Sequence, residues 1–361
     1  MILHFSVRLG SWFTKNGRHD LPWQHDRTPY RVWVSEIMLQ QTQVASVIPY
    51  FQKFIEHFPN LTSLAKADED EILHLWAGLG YYNRARCLHR TAKIIHDTLK
   101  GKFPSDLTEL QQLPGIGRST AGAIRAIAFK KHAVILDGNV KRVLTRLHGI
   151  TEWTGNKSVE NQLWKLAEQY TPKRKLANYT QAIMDLGATL CTQTRPQCGI
   201  CPFTPDCKAY QYHLIPLIPA KKPSGKLPLR QSTFLILHYR AQVFLYKRPS
   251  AGLWGGLWSL PEFSGHAAEE KIKHFLQTQN LHLYQMKSLP KFLHRFTHFQ
   301  LDIEPVLIKL SHKPKKIILE NPQIWYKIHQ PQALGMPSPV HSLVTSLGRL
   351  YDSSSTVSET R

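Results

Sequence analysis

Four cysteines in the middle of the chain constrain its fold more than any other feature. Cys191, Cys198, Cys201 and Cys207 follow the spacing C-x6-C-x2-C-x5-C. Four thiolates so close in sequence can bind one metal centre, and iron–sulfur clusters are commonly held by four cysteines. The uneven spacing favours such a cluster over a zinc ribbon, whose ligands come as two close pairs. Zinc and two disulfides remain open as alternatives, although no signal peptide indicates an oxidising compartment.

Length and charge narrow the possible architectures and partners. A chain of 361 residues predicts two domains rather than one core. The net charge of +21 favours a polyanionic partner, most commonly nucleic acid. No apolar stretch in the sequence is long enough to predict a membrane helix. His4 and Arg8 interrupt the apolar N-terminal run, so we expect it to form the first amphipathic helix of a cytoplasmic protein.

The first part of the chain carries helix-spaced apolar positions, separated by short Gly, Pro and Asn breaks. This pattern predicts a mainly α-helical domain over residues 1–213, with few strands. The predicted helices cover 29–48, 69–76, 87–100, 119–129, 140–147 and 159–170.

The pattern changes after a Pro-rich, basic stretch at 214–230, which predicts an extended linker. Short apolar runs predict strands at 232–239, 242–247, 298–310 and 316–319, with a turn at 240–241 between the first two. A helix is predicted at 269–279. We therefore expect a second, α+β domain over 231–350, followed by a disordered Ser/Thr-rich tail at 351–361.

Two glycine corners could contact nucleic acid. Residues 113–122 read LPGIGRSTAG, and a Pro-Gly-x-Gly turn before a helix directs backbone N–H groups to phosphates without base preference. A tight corner between two packed helices is the simpler alternative. Residues 76–86 read WAGLGYYNRAR, which combines aromatic rings with arginines. Such side chains stack on unpaired bases and contact phosphates.

A single acid, Glu36, interrupts an apolar helical segment. Helical spacing makes Val32, Trp33, Leu39 and Gln40 its neighbours. Burial among such side chains raises the pKa of a carboxyl, which could then act as a general acid near neutral pH. A solvated acid on the outer face of an amphipathic helix is the alternative.

A second acid, Asp137, ends the apolar run at 134–136 directly before a predicted helix. Taken alone, this pattern favours an aspartate in a turn, with Asn139 as the N-cap of the following helix.

Taken together, these features resemble the helix-hairpin-helix DNA glycosylases that carry a C-terminal iron–sulfur cluster. The order agrees: LPW at 21–23, the Glu36 helix, the LPGIG hairpin, the Asp137 turn and the cysteine spacing. The segments SEIMLQQTQV, GLGYYNRAR, LPGIGRSTAGAI, ILDGNVKRVL and MDLGA resemble the MutY-type adenine DNA glycosylases in particular. The resemblance implies one 4Fe-4S cluster on the four cysteines. We expect it to hold a basic loop with Arg195 and Lys208 against the DNA backbone.

The resemblance also implies a reaction, the removal of adenine mispaired with 8-oxoguanine or guanine in duplex DNA. The target base must leave the stack to be reached. Glu36 then corresponds to the general acid, Asp137 to the carboxylate that stabilises the oxocarbenium-like sugar, and Asn139 to a residue that orients the sugar or the water. The family positions that contact the DNA or the adenine correspond to Trp23, Gln40, Gln41, Tyr81, Leu113, Gly115, Gly117, Arg118, Ser119 and Asp185. We expect a monomer.

The residue at position 119 separates two related enzyme types. Endonuclease III-type enzymes resemble this chain up to the cluster and carry a nucleophilic lysine where this chain has Ser119. We therefore expect base removal without efficient strand cleavage, although Lys141 near Asp137 could form an incidental Schiff base. The enzymatic alternative is an endonuclease III-like lyase on oxidised pyrimidines. The non-enzymatic alternative is a redox-sensing iron–sulfur protein that binds DNA.

The C-terminal half resembles a Nudix domain over 243–263, which includes KRP and GLWGGLW. The helix that follows begins EEKIKH at 269–274 and lacks the R-E-x-x-E-E-x-G run that binds magnesium. This Nudix-like domain is therefore expected to recognise 8-oxoguanine rather than to hydrolyse nucleotides. In the family the recognition loop is usually Phe-Ser-His, and here it reads Phe296, Thr297, His298.

Overall fold

The structure of the protein is a computed structural model. It describes residues 2–222, 225, 227–314, 317–318 and 320–355. The chain divides into two compact units. The first contains Met1–Ala67 and Asn83–Ser224, and the second contains Asp68–Tyr82 and Gly225–Arg361. Of the helices that the structure describes, none is both long and apolar enough to cross a membrane.

The first unit is helical, as the apolar spacing predicted. The helices up to the end of the cysteine loop are α1 (Ile2–Asn16), α2 (Pro22–His25), α3 (Pro29–Leu39), α4 (Val44–His57), α5 (Leu61–Lys66), α6 (Glu69–Leu75), α7 (Asn83–Lys93), α8 (Leu107–Gln112), α9 (Arg118–Ile127), α10 (Gly138–His148), α11 (Lys157–Tyr170), α12 (Leu176–Asp185) and α13 (Lys208–Gln211). Of these, α6 belongs to the second unit. Single π-helical turns extend α7 over Ile94–Thr98 and α12 over Leu186–Leu190.

The predicted helix at 29–48 is wrong as one element, because the chain turns between α3 and α4. Helix α3 begins where the Thr28 hydroxyl accepts the N–H of Arg31. It ends at Gln40, whose ψ of 113° leaves the helical range, and Gln41 follows with a φ of 58°. The core face of α3 includes Trp33 and Val34, which are fully buried. This helix packs against α4, α7 and α9.

Two close approaches position the hairpin formed by α8 and α9. Gly115 has a φ of 79°, and a Cβ there would lie 2.8 Å from the Cβ of Cys87. A Cβ at Gly122 would lie 2.2 Å from the carbonyl oxygen of Val134. Glycine is therefore needed at both points, first for the left-handed turn and then for contact between α9 and the segment that leads to Asp137.

The second unit is α+β, as predicted. Its elements are β1 (Leu229–Tyr239), β2 (Gln242–Lys247), β3 (Trp258–Ser259), β4 (Glu262–Ser264), α14 (Glu269–Thr278), β5 (Leu283–Ser288), β6 (Phe292–Arg295), β7 (Gln300–Leu310), β8 (Gln323–Lys327) and α15 (Ser338–Ser355). The main sheet order is β3-β2-β1-β7-β5, with β4 paired to β1, β6 to β7 and β8 to β2. Strands β1 and β7 run parallel, and the other pairs are antiparallel.

The core of this unit lies where one face of the sheet meets α14. Ile272 and Leu276 of the helix pack with Leu237, Phe244 and Ile308 of the strands. The predicted strands at 232–239, 242–247 and 298–310 are confirmed as β1, β2 and β7, of which only β7 largely alternates in burial. The predicted turn at 240–241 is confirmed by Arg240, which has a φ of 51°.

Other expectations in this unit are corrected. Residues 316 and 319 of the predicted strand at 316–319 lie outside the described residues, and Ile317 and Ile318 are not in a strand. Strands β5 and β6 were not predicted, because most of their side chains are exposed and they lack a clear apolar alternation. The predicted disordered tail begins inside α15, which runs to Ser355.

The segment Asp68–Tyr82 joins the second unit through specific polar contacts. The carboxylate of Asp70 pairs with Lys247 Nζ at 2.8 Å and accepts a hydrogen bond from Trp258 Nε1 at 3.2 Å. The Tyr82 hydroxyl donates to the carbonyl oxygen of Met336 at 3.1 Å. The sequence-based division at 213 and 231 does not include this segment in the C-terminal domain.

Candidate active site

Two acids from different helices of the first unit form the centre of the site. Glu36 lies on α3, about one turn before the helix ends, between the buried residues Ser35 and Ile37. Burial raises the pKa of Glu36 to about 8, and the charge of Asp137 is the second cause. The effect of that charge shows that the fold brings the two carboxyls into one electrostatic environment. The expectation of a desolvated Glu36 is consistent with this arrangement.

Asp137 is the N-cap of α10. Its Oδ1 accepts the backbone N–H of Val140 at 2.8 Å, and its Oδ2 accepts a hydrogen bond from Asn139 Nδ2 at 3.1 Å. The alternative in which Asn139 caps the helix is wrong, because Asn139 lies within α10. Burial raises the pKa of Asp137, while these donors and the charge of Arg142 oppose that rise. The carboxylate therefore has several donors that favour its ionised form.

Hydrogen bonds from Arg142 hold the side-chain amide of Asn139 in place. Arg142 Nη2 donates to Asn139 Oδ1 at 2.7 Å and to the carbonyl oxygen of Gly187 at 2.5 Å, and Arg142 Nε donates to Cys191 O at 2.8 Å. A Cβ on Gly187 would lie 2.6 Å from the Cβ of Asn139. The glycine of the MDLGA segment is thus what lets the π-helical turn pack on α10.

The hairpin adjoins this pair of acids. The Ser119 hydroxyl accepts the N–H of Leu136 at 3.0 Å, which ties α9 to the residue before Asp137. Gly117 is the N-cap residue of α9, and Leu113 ends α8 as its buried C-cap. The Arg118 guanidinium lies over the Trp164 ring, 3.8 Å from its centroid.

The side chain of Gln40 contacts the same hairpin. Its Nε2 donates to the carbonyl oxygen of Gly115 and to the Thr120 hydroxyl, each at 3.3 Å. A cleft of about 400 Å³ lies beside these groups. Its lining includes Gln40, Gly117, Arg118, Ser119, Thr120, Leu136, Lys157, Glu160, Asn161 and Trp164. The Lys141 ammonium group forms an ion pair with the Glu160 carboxylate, with 2.9 Å between Nζ and Oε1.

Asp185 is a fully buried member of an ion pair. It accepts hydrogen bonds from the backbone N–H of Arg18 at 2.8 Å and from Arg18 Nε at 2.9 Å, and Arg18 Nη2 also contacts it. Gln181 Nε2 donates to Asp185 Oδ1 at 3.0 Å. The carboxylate of Asp185 is therefore engaged by protein donors, and Arg18, one-quarter exposed, is the group it positions.

Trp23 is buried on α2, and its ring meets Phe51 edge-on at 5.4 Å. Next to it, the amide nitrogen and oxygen of Gln24 are buried without a hydrogen-bond partner among the residues described. A buried amide without partners costs free energy, so it is a group that a ligand could satisfy.

The four cysteines share one neighbourhood of the first unit. All are free thiols, so the disulfide alternative is not what the structure contains. Burial raises the pKa of Cys201 to about 11, and the charges of Cys191, Cys207 and Cys198 add to that rise. Arg146 contacts two of them, through Nη1 to Cys191 Sγ at 3.4 Å and through its carbonyl oxygen to Cys207 Sγ at 3.5 Å.

Within the part of the chain that the structure describes, no three His, Cys, Asp or Glu side chains are grouped in the manner of a metal site. The donor set nevertheless fits a cluster with four thiolate ligands, because Cys191, Cys198, Cys201 and Cys207 influence one another electrostatically.

In the second unit, the loop at 296–298 is held by aromatic packing. Phe296 stacks on Phe299 with 4.4 Å between ring centroids, and its N–H donates to Phe299 O at 2.9 Å. The Trp254 ring lies 5.4 Å from the Phe296 ring. The Thr297 hydroxyl and His298 Nδ1 are 3.4 Å apart at the exposed tip. The loop therefore presents two polar groups on an aromatic base.

Tyr81 lies at the corner that ends the segment Asp68–Tyr82. It has a φ of 49° and is 41% exposed. Gln41, in the first unit, also has a positive φ and is exposed. Both residues thus stand on turns with an uncommon backbone conformation, which is typical of functional positions.

Sequence reasoning missed four polar residues of these surroundings. They are Arg18, Gln24, Arg84 and Arg142. Arg84 is buried and donates to backbone oxygens at the end of α3. No local pattern identifies these residues, because their partners lie many positions away in sequence.

Each of the two units matches a known protein family. Residues 34–169 match the HhH-GPD superfamily of base excision DNA repair proteins, and residues 232–346 match the NUDIX domain. A solved thermostable thymine-DNA glycosylase is 28% identical, with a TM-score of 0.51, and the match covers 58% of this chain and 96% of that one. A non-covalent endonuclease III–DNA complex shares the fold at 23% identity, with a TM-score of 0.51, and the match covers 59% of this chain and 96% of that one.

Relatives match almost the whole chain. The adenine DNA glycosylase of Buchnera aphidicola subsp. Acyrthosiphon pisum is 40% identical over 94% of this chain and 96% of its own length. The human adenine DNA glycosylase is 36% identical over 82% of this chain and 65% of its own length. The chain therefore belongs to the adenine DNA glycosylase family, whose members are DNA N-glycosylases of base excision repair.

Proposed function

We propose that this glycosylase removes adenine paired with 8-oxoguanine or with guanine in duplex DNA. The observation that carries the catalytic part is the pair of half-buried acids, Glu36 and Asp137, which both have raised pKa values, that of Glu36 partly through the charge of Asp137. Two carboxyls with separated protonation states are what the hydrolysis of a glycosidic bond needs. An enzyme with this substrate would act at the bacterial nucleoid, and we expect it to act as a monomer.

Glu36 is the proton donor in this proposal. Adenine leaves poorly as an anion, but protonation at N7 lets it leave as a neutral base. With a pKa of about 8, Glu36 holds its proton at neutral pH and can deliver it to the base. The resulting carboxylate can then activate the water that attacks the sugar.

Asp137 stabilises the positive charge that develops on the sugar. Its Oδ1 and Oδ2 are held by Val140 N–H and Asn139 Nδ2, and these donors favour the ionised form of the carboxylate. The charge of an ionised Asp137 is one cause of the raised pKa of Glu36, so an ionised Asp137 favours the protonated form of Glu36. The pair thus supplies one acid and one carboxylate at the same pH. Asn139, held by Arg142, orients the sugar or the water.

Access to the adenine requires that it leave the helix stack. Gln40 and Gln41 are proposed to fill the space beside the lesion, and Tyr81, on the second unit, is proposed to contact the DNA. Gln40 suits this role because its side chain is already tethered to the hairpin. Trp23 and the pair Arg18–Asp185 belong to the adenine pocket, where Arg18 is the group available to the base.

The hairpin binds the DNA backbone in this proposal. The turn from Leu113 through Gly115 to Gly117 places the N-terminus of α9 at the surface, where backbone N–H groups favour a phosphate. Arg118 and Ser119 open the same helix. Stacking on Trp164 restricts Arg118 and so reduces the entropy that it loses when it binds.

The loop Phe296, Thr297, His298 is proposed to recognise 8-oxoguanine opposite the adenine. The packing of Phe296 on Phe299 and Trp254 fixes the loop, and the Thr297 hydroxyl and His298 ring are the groups available for hydrogen bonds. Thr297 keeps the hydroxyl of the usual serine and adds a methyl group.

Cys191, Cys198, Cys201 and Cys207 would hold one 4Fe-4S cluster. Its contribution would be structural, since base hydrolysis transfers no electrons. The loop between the cysteines would then present Arg195 and Lys208 to the DNA backbone. Iron content and visible absorption of protein purified without air, compared with a Cys198→Ser variant, test this assignment, and zinc in place of iron would overturn it.

Ser119 supports base removal without strand cleavage. Its hydroxyl is bonded to Leu136 N–H, and serine has no amine to form a Schiff base. Lys141, the amine considered for an incidental Schiff base, is paired with Glu160. The endonuclease III-like lyase is therefore the weaker alternative.

A duplex assay tests the proposal as a whole. The full-length protein is incubated with end-labelled duplexes containing A opposite 8-oxoguanine, guanine or thymine, and with one containing an oxidised pyrimidine. Each sample is split and run with and without alkali. We expect alkali-dependent cleavage at A opposite 8-oxoguanine and guanine only. Cleavage without alkali, or cleavage at the oxidised pyrimidine, would favour the lyase.

A further inference from the structure

Arg84 occupies an unusual place for a charged side chain, at the buried end of the helix that carries Glu36. Only 8% of Arg84 is exposed. Its Nη1 donates to Ile37 O at 3.1 Å and to Met38 O at 2.8 Å, and it also contacts Gln40 O. Its Nη2 donates to the Thr42 hydroxyl at 3.1 Å. One guanidinium thus contacts four of the six residues from Ile37 to Thr42.

These contacts replace the usual ending of a helix. The last carbonyl groups of a helix lack partners within it, and they carry the negative end of the helix dipole. A glycine in the left-handed conformation commonly ends a helix, whereas here the residue with positive φ is Gln41. The positive, forked guanidinium of Arg84 satisfies the carbonyl groups and favours this strained turn.

The turn that Arg84 holds is the one that carries Gln40 and Gln41. The backbone oxygen of Gln40 contacts Arg84, and the side chain of Gln40 reaches Gly115 O and Thr120 Oγ1. The position of Gln40 is therefore fixed at both ends, by Arg84 at the backbone and by the hairpin at the amide. Without Arg84, the side chain of Gln40 would still bind the hairpin, but the backbone turn at Gln40 and Gln41 could change its conformation.

We propose that Arg84 is a positioning residue for DNA recognition, because it holds the Gln40–Gln41 turn in the conformation that enters the duplex beside the flipped adenine. This inference rests on the proposed role of Gln40 and Gln41 in the duplex. Arg84 itself contacts neither adenine nor sugar in this account. Its effect is on the cost of extruding the base.

The inference makes a prediction that depends on the substrate. A base opposite an abasic site is less costly to extrude than a paired base. A defect in the Gln40–Gln41 turn should therefore lower the excision rate strongly for A opposite 8-oxoguanine and only slightly for A opposite an abasic-site analogue. A general loss of active-site structure would slow both reactions by the same factor.

The experiment measures single-turnover excision with enzyme in excess on these two duplexes. The variants are Arg84→Met, which keeps the stem, and Arg84→Lys, which keeps the charge but loses the fork. Arg90→Met, an exposed arginine on the same helix α7, is the control. If Arg84→Met does not fold, Arg84→Lys and Thr42→Val, which removes one acceptor of the guanidinium, carry the same comparison.

We expect Arg84→Met to lower excision opposite 8-oxoguanine about 10- to 100-fold, as for small misplacements of substrate-positioning groups. Arg84→Lys should lie between it and the wild type, and Arg90→Met should match the wild type. Opposite the abasic site the loss should be less than about threefold. An unchanged rate, or equal losses on both duplexes, would overturn the inference. If the wild type itself fails to excise A opposite 8-oxoguanine, the proposed function fails as well.

Discussion

The charge of Asp137 raises the pKa of Glu36, in addition to the larger effect of burial. The two residues lie about a hundred positions apart in sequence, on α3 and at the start of α10. This effect keeps the proton on Glu36 near neutral pH, beside a second carboxyl whose hydrogen-bond donors favour its ionised form while burial opposes it. Several consequences for pH, stability and specificity can be measured.

The excision rate should depend on the protonation of Glu36. Because its pKa is about 8, we expect the single-turnover rate to fall above that pH, approaching tenfold per pH unit. On the acidic side, the rate should fall as Asp137 takes up a proton. Rates on an 8-oxoguanine:A duplex from about pH 5 to about pH 9.5 give the profile. A rate that stays constant across the alkaline half would exclude Glu36 as the proton donor.

Glu36 should reduce the stability of the fold as pH rises. Its pKa is about 8 in the folded protein and near 4.5 in the unfolded chain, so the folded state binds the proton more tightly. The free energy of unfolding therefore decreases from about pH 4.5 to about pH 8 through this group.

Replacement of Glu36 by Gln should remove that cost. We expect a melting temperature about 5 °C above the wild type at alkaline pH, with the difference shrinking towards about pH 4.5. Glu168→Gln, an exposed acid on α11, is the matched control and should change little. If the Glu36→Gln variant is no more stable than the wild type at alkaline pH, the pKa of Glu36 is not raised in the folded protein.

Asn139 should maintain the ionised form of Asp137. Asn139→Ala removes the donor at 3.1 Å from Asp137 Oδ2 and leaves Arg142 Nη2 without its acceptor at 2.7 Å. We expect about a 10- to 100-fold lower rate near neutral pH and an acidic limb displaced to higher pH. The pH–rate profile measures both effects. Asn178→Ala, an exposed asparagine on α12, should keep the wild-type profile. A uniform loss at all pH values would indicate that Asn139 acts elsewhere.

Thr297 should contribute to discrimination between 8-oxoguanine and guanine. Thr297→Ala removes the hydroxyl, so we expect the ratio of excision rates for 8-oxoguanine:A over G:A to drop about tenfold, the value of one hydrogen bond. Thr297→Ser keeps the hydroxyl and should retain the ratio. Thr278→Ala, an exposed threonine of the same unit, is the control. Equal ratios for the Ala and Ser variants would remove Thr297 from lesion recognition.

The sequence was sufficient to predict those elements that bury a regular apolar stripe. Helices α9 to α11 have such stripes. Strands β1 and β2 were predicted from apolar runs instead, and in β1 the residues from Ser232 to His238 are all buried. The turn after α3 could not be predicted from local pattern. It depends on a left-handed Gln41 and on Arg84, a residue far along the chain. The place of Asp68–Tyr82 in the second unit depends likewise on distant partners of Asp70.

The candidate site was predicted to a similar extent. Glu36 was singled out because an acid inside an apolar helical segment conflicts with its surroundings, whereas Asp137 was singled out only through the family resemblance, and the catalytic roles of both stay predictions. The arginines that form hydrogen bonds with Asn139 and with Asp185 could not be predicted. Arg142 acts through Asn139, and Arg18 neutralises Asp185 across 167 positions of sequence. Such pairs are brought together only by the packing of the helices.

The excision of adenine opposite 8-oxoguanine by Glu36→Gln and Asp137→Asn tests the central claim most directly. Binding to an 8-oxoguanine:A duplex is measured alongside single-turnover excision, with Glu168→Gln as the control. We predict that both variants bind the duplex within about threefold of the wild type and lose excision by at least about 10³-fold, as when a catalytic acid or carboxylate is removed. Excision at the wild-type rate by either variant would contradict the account.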